Sequence, residues 1–121
     1  MSVRITTVAT QLPPFTRTTE EIIPFLKMWL SEQEERFQRK VIKLFENAGV
    51  DRRFSIMDAE EVFNKTSFEE KNEIYKRETT KLAEGALTKA LDKAGLNPKD
   101  IDYIITVSCT GIMIPSIDAY L

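Results

Sequence analysis

The chain has 121 residues, 17 Lys and Arg against 19 Asp and Glu for a formal net charge of −2, no histidine and a single cysteine, Cys109. A chain so near neutral exerts no global pull on nucleic acid or an anionic membrane, so any anion site must be a local cluster. Without histidine, no Ser-His or Cys-His nucleophile pair can be assembled from these residues.

The same composition narrows the remaining classes. A lone thiol excludes an internal disulfide framework and agrees with a reducing, cytoplasmic setting. A metal site would need carboxylates gathered around one cysteine, so neither metal nor cofactor is expected. Hydrophobic residues at 42% and charged residues at 30% describe a soluble globular chain. The apolar runs are too short to span a bilayer. The four glycines, Gly49, Gly85, Gly95 and Gly111, stand singly, so there is no Gly-rich phosphate loop. Asn64-Lys65-Thr66 matches a glycosylation acceptor, a chance match in a chain whose start lacks the apolar core of a signal peptide.

Taken in order, Val3–Ala9 alternates weakly and reads as a first strand. Thr18-Thr19-Glu20-Glu21 is a capping box opening a helix that carries Ile22, Phe25, Leu26, Trp29 and Leu30, with Pro24 early in it as a kink or delay. A second helix is predicted from Glu32 to Ala48, with Phe37, Val41, Leu44, Phe45 and Ala48 at helical spacing and Gly49 as its left-handed stop. Arg53–Met57 reads as extended. Asp58-Ala59-Glu60-Glu61 caps a brief helix through Phe63, and Ser67-Phe68-Glu69-Glu70 opens a helical pattern to Ala94 with a break near Lys76. The stretch Glu78–Ala94 is thin-walled, rich in alanine, and is expected to be buried; Gly95 and Pro98 end it. Ile101–Ser108 is the strongest predicted strand, β-branched and nearly continuous in apolar character, as in a parallel strand covered on both faces. A turn follows at Cys109–Pro115, and Pro115-Ser116-Ile117-Asp118 starts another helix. Strand, helices, strand and a further helix are the front of an α/β layered domain, with no internal boundary in residues 1–121. Ligands in such sheets sit beyond the carboxyl ends of strands, here at Cys109-Thr110-Gly111.

From residue type alone, Cys109 reads as a small apolar residue at a strand end, as a nucleophile, or as a cavity wall; no base in the chain supports the second. Thr110 and Gly111 are either a strand exit with positive φ or backbone held open for a ligand. Arg36, Arg39, Lys40 and Lys43 recur at helical intervals, and Arg52-Arg53 follow; they read as a solvated face or as an anion site.

The run from Ile101 to Asp118, with its Ser-Cys-Thr-Gly and Pro-Ser-x-Asp blocks, resembles the type III polyketide synthases, the chalcone and stilbene synthase family, in their bacterial form. Phe45–Arg53 and Leu82–Leu96 are similar to the same family, and the likeness runs from Val3 onward. The resemblance implies the N-terminal part of a thiolase-like layered α/β fold, normally a homodimer, and condensation of a starter acyl-CoA with malonyl-CoA. It implies that the catalytic cysteine, histidine and asparagine lie beyond Leu121, so this chain holds no catalytic residue and is inactive alone. Cys109 and Thr110 then match positions lining the starter and cyclisation cavity. Ile114 matches the residue that closes the partner subunit's cavity. Lys40 and Lys43 match basic positions that hold the CoA phosphates; the third such position is Asn47, a departure that weakens the CoA site or shifts part of its role to Arg52 or Arg53. Other readings are a different thiolase-fold condensing enzyme, similar to β-ketoacyl carrier-protein synthase III, and a small non-catalytic α/β interaction module. A piece ending at Leu121 is also expected to self-associate over its uncovered apolar surface.

Overall fold

The computed structural model describes residues 2–64 and 67–121, so the middle and end of the Asn64-Lys65-Thr66 acceptor lie outside the described residues. The sequence reading places no boundary in the chain; the backbone divides into two compact units, Pro13–Thr66 and Met1–Leu12 with Ser67–Leu121.

The first unit, Pro13–Thr66, begins with strand β1 (Phe15–Thr18), which passes directly into helix α1 (Thr19–Trp29). Thr18 is both the last strand residue and the N-cap. Its hydroxyl accepts from Glu21 N–H while the Glu21 carboxylate accepts from Thr18 N–H, the predicted capping box. Pro24 is accommodated inside α1, which continues to Trp29. Helix α2 spans Glu35–Glu46, shorter at both ends than the apolar spacing suggests, and Gly49 beyond it has a φ of 65°.

Strand β2 (Arg52–Ser55) returns antiparallel to β1, with Phe15 opposite Ser55 and Thr18 opposite Arg52. The six-residue helix α3 (Ala59–Asn64) follows, Asp58 accepting from Ala59 N–H at 2.7 Å. Leu26 of α1, Leu30 at its C-cap and Ala59 of α3 form the core. Leu30 is 1% exposed, so its burial alone contributes about 2 kcal/mol.

The second unit is organised by helix α4 (Phe68–Ala94), 27 residues with no break near Lys76. Ser67 caps its start and Gly95 ends it in the left-handed region at φ 66°. None of its residues is fully buried, which corrects the expectation that its alanine face is sealed. Residues 2–12 run antiparallel to α4: Lys93 Nζ donates to the Val8 carbonyl at 3.3 Å and Lys89 Nζ to Gln11 Oε1.

Neither Val3–Ala9 nor Ile101–Ser108 is a strand. Both lack a hydrogen-bonded neighbour among the described residues, and a strand exists only as half of a pair. Tyr103, Ile105 and Val107 are accordingly more than four-fifths exposed. A short 3₁₀ turn, Ile117–Tyr120, stands where the last helix is predicted, and within it Ile117 is buried.

Candidate functional site

The loop that carries Cys109 and Thr110 is held against α4 by contacts on both sides of those two residues. Tyr75 Oη donates to Ser108 Oγ at 2.6 Å, and Ser108 Oγ in turn donates to the Thr110 carbonyl at 2.8 Å. Beyond them, Ile112 N–H donates to Asn72 Oδ1 at 2.7 Å. Asn72 and Tyr75 are three residues apart on α4 and so share one helix face. Between the two anchor points Gly111 adopts a φ of 72°, and a Cβ placed there would fall 2.3 Å from the Tyr75 ring. The predicted positive φ at Gly111 is thus matched by a close approach that composition does not reveal.

A hollow of about 460 Å³ lies in the other unit, and one of about 310 Å³ beside this loop. The latter is lined by Tyr75, Thr106, Ser108, Gly111, Ile112 and Ile117, among others. Cys109, Thr110 and Ile114, the expected cavity residues, are all exposed and sit on the rim of this loop rather than lining the hollow; Ile114 is 90% exposed. At the loop's far side, Asp118 accepts from Thr106 Oγ1 at 3.1 Å. Hydrogen bonds from Ser116, from its own backbone N–H and from Thr106 hold its carboxyl below the usual carboxylate range.

The four basic residues expected to meet CoA belong to the Pro13–Thr66 unit, where they fall into two kinds. Lys40 and Lys43 stand three apart on α2, exposed, and their side chains make neither a hydrogen bond nor an ion pair among the described residues. Arg52 is likewise exposed. Arg53, its neighbour on β2, points to the opposite side. It donates through Nη1 to Thr19 Oγ1 and to the Val50 carbonyl at 3.2 Å, and through Nη2 to the Phe45 carbonyl at 3.5 Å. Its guanidinium lies 3.8 Å from the Phe45 ring centroid. Arg53 therefore closes the carboxyl end of α2, where unpaired carbonyls and the helix dipole favour a cation. Asn47, at the third basic position, is the C-cap of the same helix, its N–H donating to the Lys43 carbonyl at 3.0 Å.

Sequence reasoning does not single out Asn72, Tyr75 or Arg17. Arg17 on β1 makes a bidentate pair with Asp58 at 2.7 Å through both Nε and Nη2, and stacks 5.3 Å over Phe25. Asp58 is held below the usual carboxylate range first by Arg17 and then by the Ala59 N–H. The pair ties β1 to the start of α3. Among the described residues no group of three or more His, Cys, Asp or Glu could hold a metal ion, and no helix is long and apolar enough to cross a membrane.

No protein-family model matches the chain. Over 80 residues, 66% of this chain, it is 41% identical to a 1,3,6,8-tetrahydroxynaphthalene synthase of Streptomyces coelicolor. A second enzyme of that name, from Streptomyces griseus, is 35% identical over 81 residues, and a phloroglucinol synthase of Pseudomonas fluorescens 33% over 79 residues. The chain spans 21%, 22% and 23% of their respective lengths. Its fold matches the crystal structure of the tetrahydroxynaphthalene synthase of Streptomyces coelicolor A3(2), described as a bacterial type III polyketide synthase. That match has a TM-score of 0.80 at 32% identity and covers 93% of this chain and 32% of the other. The α/β thiolase-like fold expected from the sequence is met by this match.

Proposed function

We propose, from the kinship in sequence and fold that makes this chain a portion of a bacterial type III polyketide synthase, that the protein containing it builds an aromatic polyketide from CoA thioesters. The single observation supporting this is the fold match over 93% of the chain at 32% identity. In this reading a starter acyl group passes from CoA to an enzyme thiolate. Malonyl-CoA loses carbon dioxide, and the resulting carbanion attacks the enzyme thioester. A carbon–carbon bond forms, the carbon–sulfur bond breaks and the enzyme thiolate leaves. The reacting cysteine, and the histidine and asparagine that stabilise the charge, belong to sequence outside this chain, and the active form is a cytoplasmic homodimer. The small polyphenols for which the relatives are named set the product class.

Within this chain, Lys40 and Lys43 and the exposed Arg52 receive the CoA phosphates. The side chains of Lys40 and Lys43 hold no other partner among the described residues, which supports that role. Arg53, whose donors are taken by Thr19, Val50 and the Phe45 carbonyl of α2, braces those segments instead. Cys109 and Thr110 contribute the cavity wall, and Ile114, so fully exposed, reaches into the partner subunit's cavity.

The test is malonyl-CoA consumption and carbon dioxide release by the full enzyme, with Lys40→Ala and Lys43→Ala alongside. Each substitution should raise KM for the CoA thioester about fivefold with little change in kcat, the ~1 kcal/mol of an exposed charge pair. The effect should shrink at high salt. An enzyme that never consumes malonyl-CoA would refute the proposal, and unchanged KM values would remove the two lysines from it.

A further inference from the structure

We propose that Asn72 and Tyr75 of α4 are positioning residues that fix the Cys109–Thr110 wall, and through it the shape of the space available to the growing polyketide. This rests on the function proposed above and extends it to residues that touch no substrate. Three observations converge on the pair. The Tyr75 hydroxyl donates to Ser108 Oγ at 2.6 Å, and that oxygen passes a hydrogen bond on to the Thr110 carbonyl at 2.8 Å. On the other side of the same two residues, Ile112 N–H donates to Asn72 Oδ1 at 2.7 Å. Gly111 lies against the face of the Tyr75 ring, too close for any side chain.

The loop is thus held to one face of α4 before and after Cys109 and Thr110, and Ser108 Oγ relays the first of these bonds to the Thr110 carbonyl between them. An exposed loop otherwise has several backbone conformations of similar energy. Anchoring it at 108, 110 and 112 selects one of them. Small displacements of a cavity wall shift which folded-back conformers of a flexible acyl chain fit, which is how a residue without substrate contact alters a product ratio.

The experiment compares the full parent enzyme with Tyr75→Phe, Asn72→Leu and Asn72→Asp, reading product distribution from malonyl-CoA together with KM and kcat. Tyr75→Phe keeps the ring and removes the hydroxyl. Asn72→Leu removes the acceptor for Ile112 N–H, and Asn72→Asp keeps it. Tyr75→Phe and Asn72→Leu should change the ratio of products about fivefold, equivalent to about 1 kcal/mol for one lost hydrogen bond. Asn72→Asp should keep the parent profile, and malonyl-CoA decarboxylation should stay within about twofold in all three. A merely structural role would lower all rates together and leave the product ratio alone. If Tyr75→Phe does not fold, the Asn72 pair decides. A parent that works while Asn72→Leu keeps its profile, or while Asn72→Asp shifts it equally, overturns the inference and leaves the proposed function standing. A parent that consumes no malonyl-CoA removes both.

Discussion

Gly111→Ala separates two costs that are usually confounded, because Gly95 supplies an internal control. Both glycines lie in the left-handed region, at φ 72° and 66°. A side chain in that region costs about 1–2 kcal/mol at either position. At Gly95 nothing lies within 4 Å of an added Cβ, so the conformational cost stands alone. At Gly111 the added atom would sit 2.3 Å from two ring carbons of Tyr75 and 2.7 Å from a third. The ring cannot swing away freely, since its hydroxyl is bonded to Ser108 and its backbone is locked in α4. Overpacking of this kind adds about 1–3 kcal/mol. The loop can escape by surrendering its bonds to Tyr75 and Asn72, about 1 kcal/mol each, which limits the total to about 4 kcal/mol. At about 4 °C per kcal/mol for a chain of this size, Gly95→Ala should lower Tm by about 6 °C and Gly111→Ala by about 12 °C. Thermal or urea unfolding measures both, and the Gly111→Ala, Tyr75→Ala double variant measures the coupling. Removing the ring should make alanine at 111 cheaper by about 1–3 kcal/mol. A Gly111→Ala variant within 0.5 kcal/mol of Gly95→Ala, or a double variant with no coupling, would show that the ring does not press on this loop.

Two further outcomes follow from the Pro13–Thr66 unit, where Trp29, packed 6.1 Å from Phe63, reports unfolding by fluorescence. Arg53→Ala should destabilise the unit by about 2 kcal/mol, since it removes the donor to the Phe45 carbonyl at the end of α2 and uncovers the Phe45 ring, whereas Arg52→Ala should leave the midpoint unchanged. Equal midpoints for the two variants in urea would refute the structural role given to Arg53. Asp58 provides the pH test. Its folded carboxyl is held below the usual range by Arg17, so its contribution is present above the unfolded carboxylate pKa and is lost as pH falls through the lowered folded value. Urea midpoints should therefore be flat near neutrality and fall in acid. Asp58→Asn should give a lower midpoint at pH 7 and a shallower acid slope, with Glu21, lowered first by the Thr18 N–H, keeping the remainder. An Asp58→Asn variant with the parent's acid slope would count against this pair.

The parts of this fold that the sequence makes legible are those decided within a few residues. Thr18 with Glu21, Ser67 ahead of α4, and the left-handed Gly49, Gly95 and Gly111 are all where local pattern places them, because a cap or a positive φ is satisfied by its immediate neighbours. The errors fall where a distant partner is required. The apolar run at Ile101–Ser108 records what its side chains are suited to lie against, not which backbone will bond to it. Val107, at 93% exposed, shows the two properties separated. Conversely β1, at Phe15–Thr18, carries almost no alternating apolar signal and still pairs with β2, whose residues 53–55 fall within the stretch read as extended. The candidate site divides along the same line. Cys109, Thr110 and Gly111 are visible as a strand exit, and Lys40 and Lys43 as a charged helical face. Asn72 and Tyr75 are invisible, since their partners are 40 and 33 residues away and neither type is unusual on a helix. What makes that loop a defined wall is therefore written in α4, and substitutions on that helix should reshape the wall without touching the residues that form it.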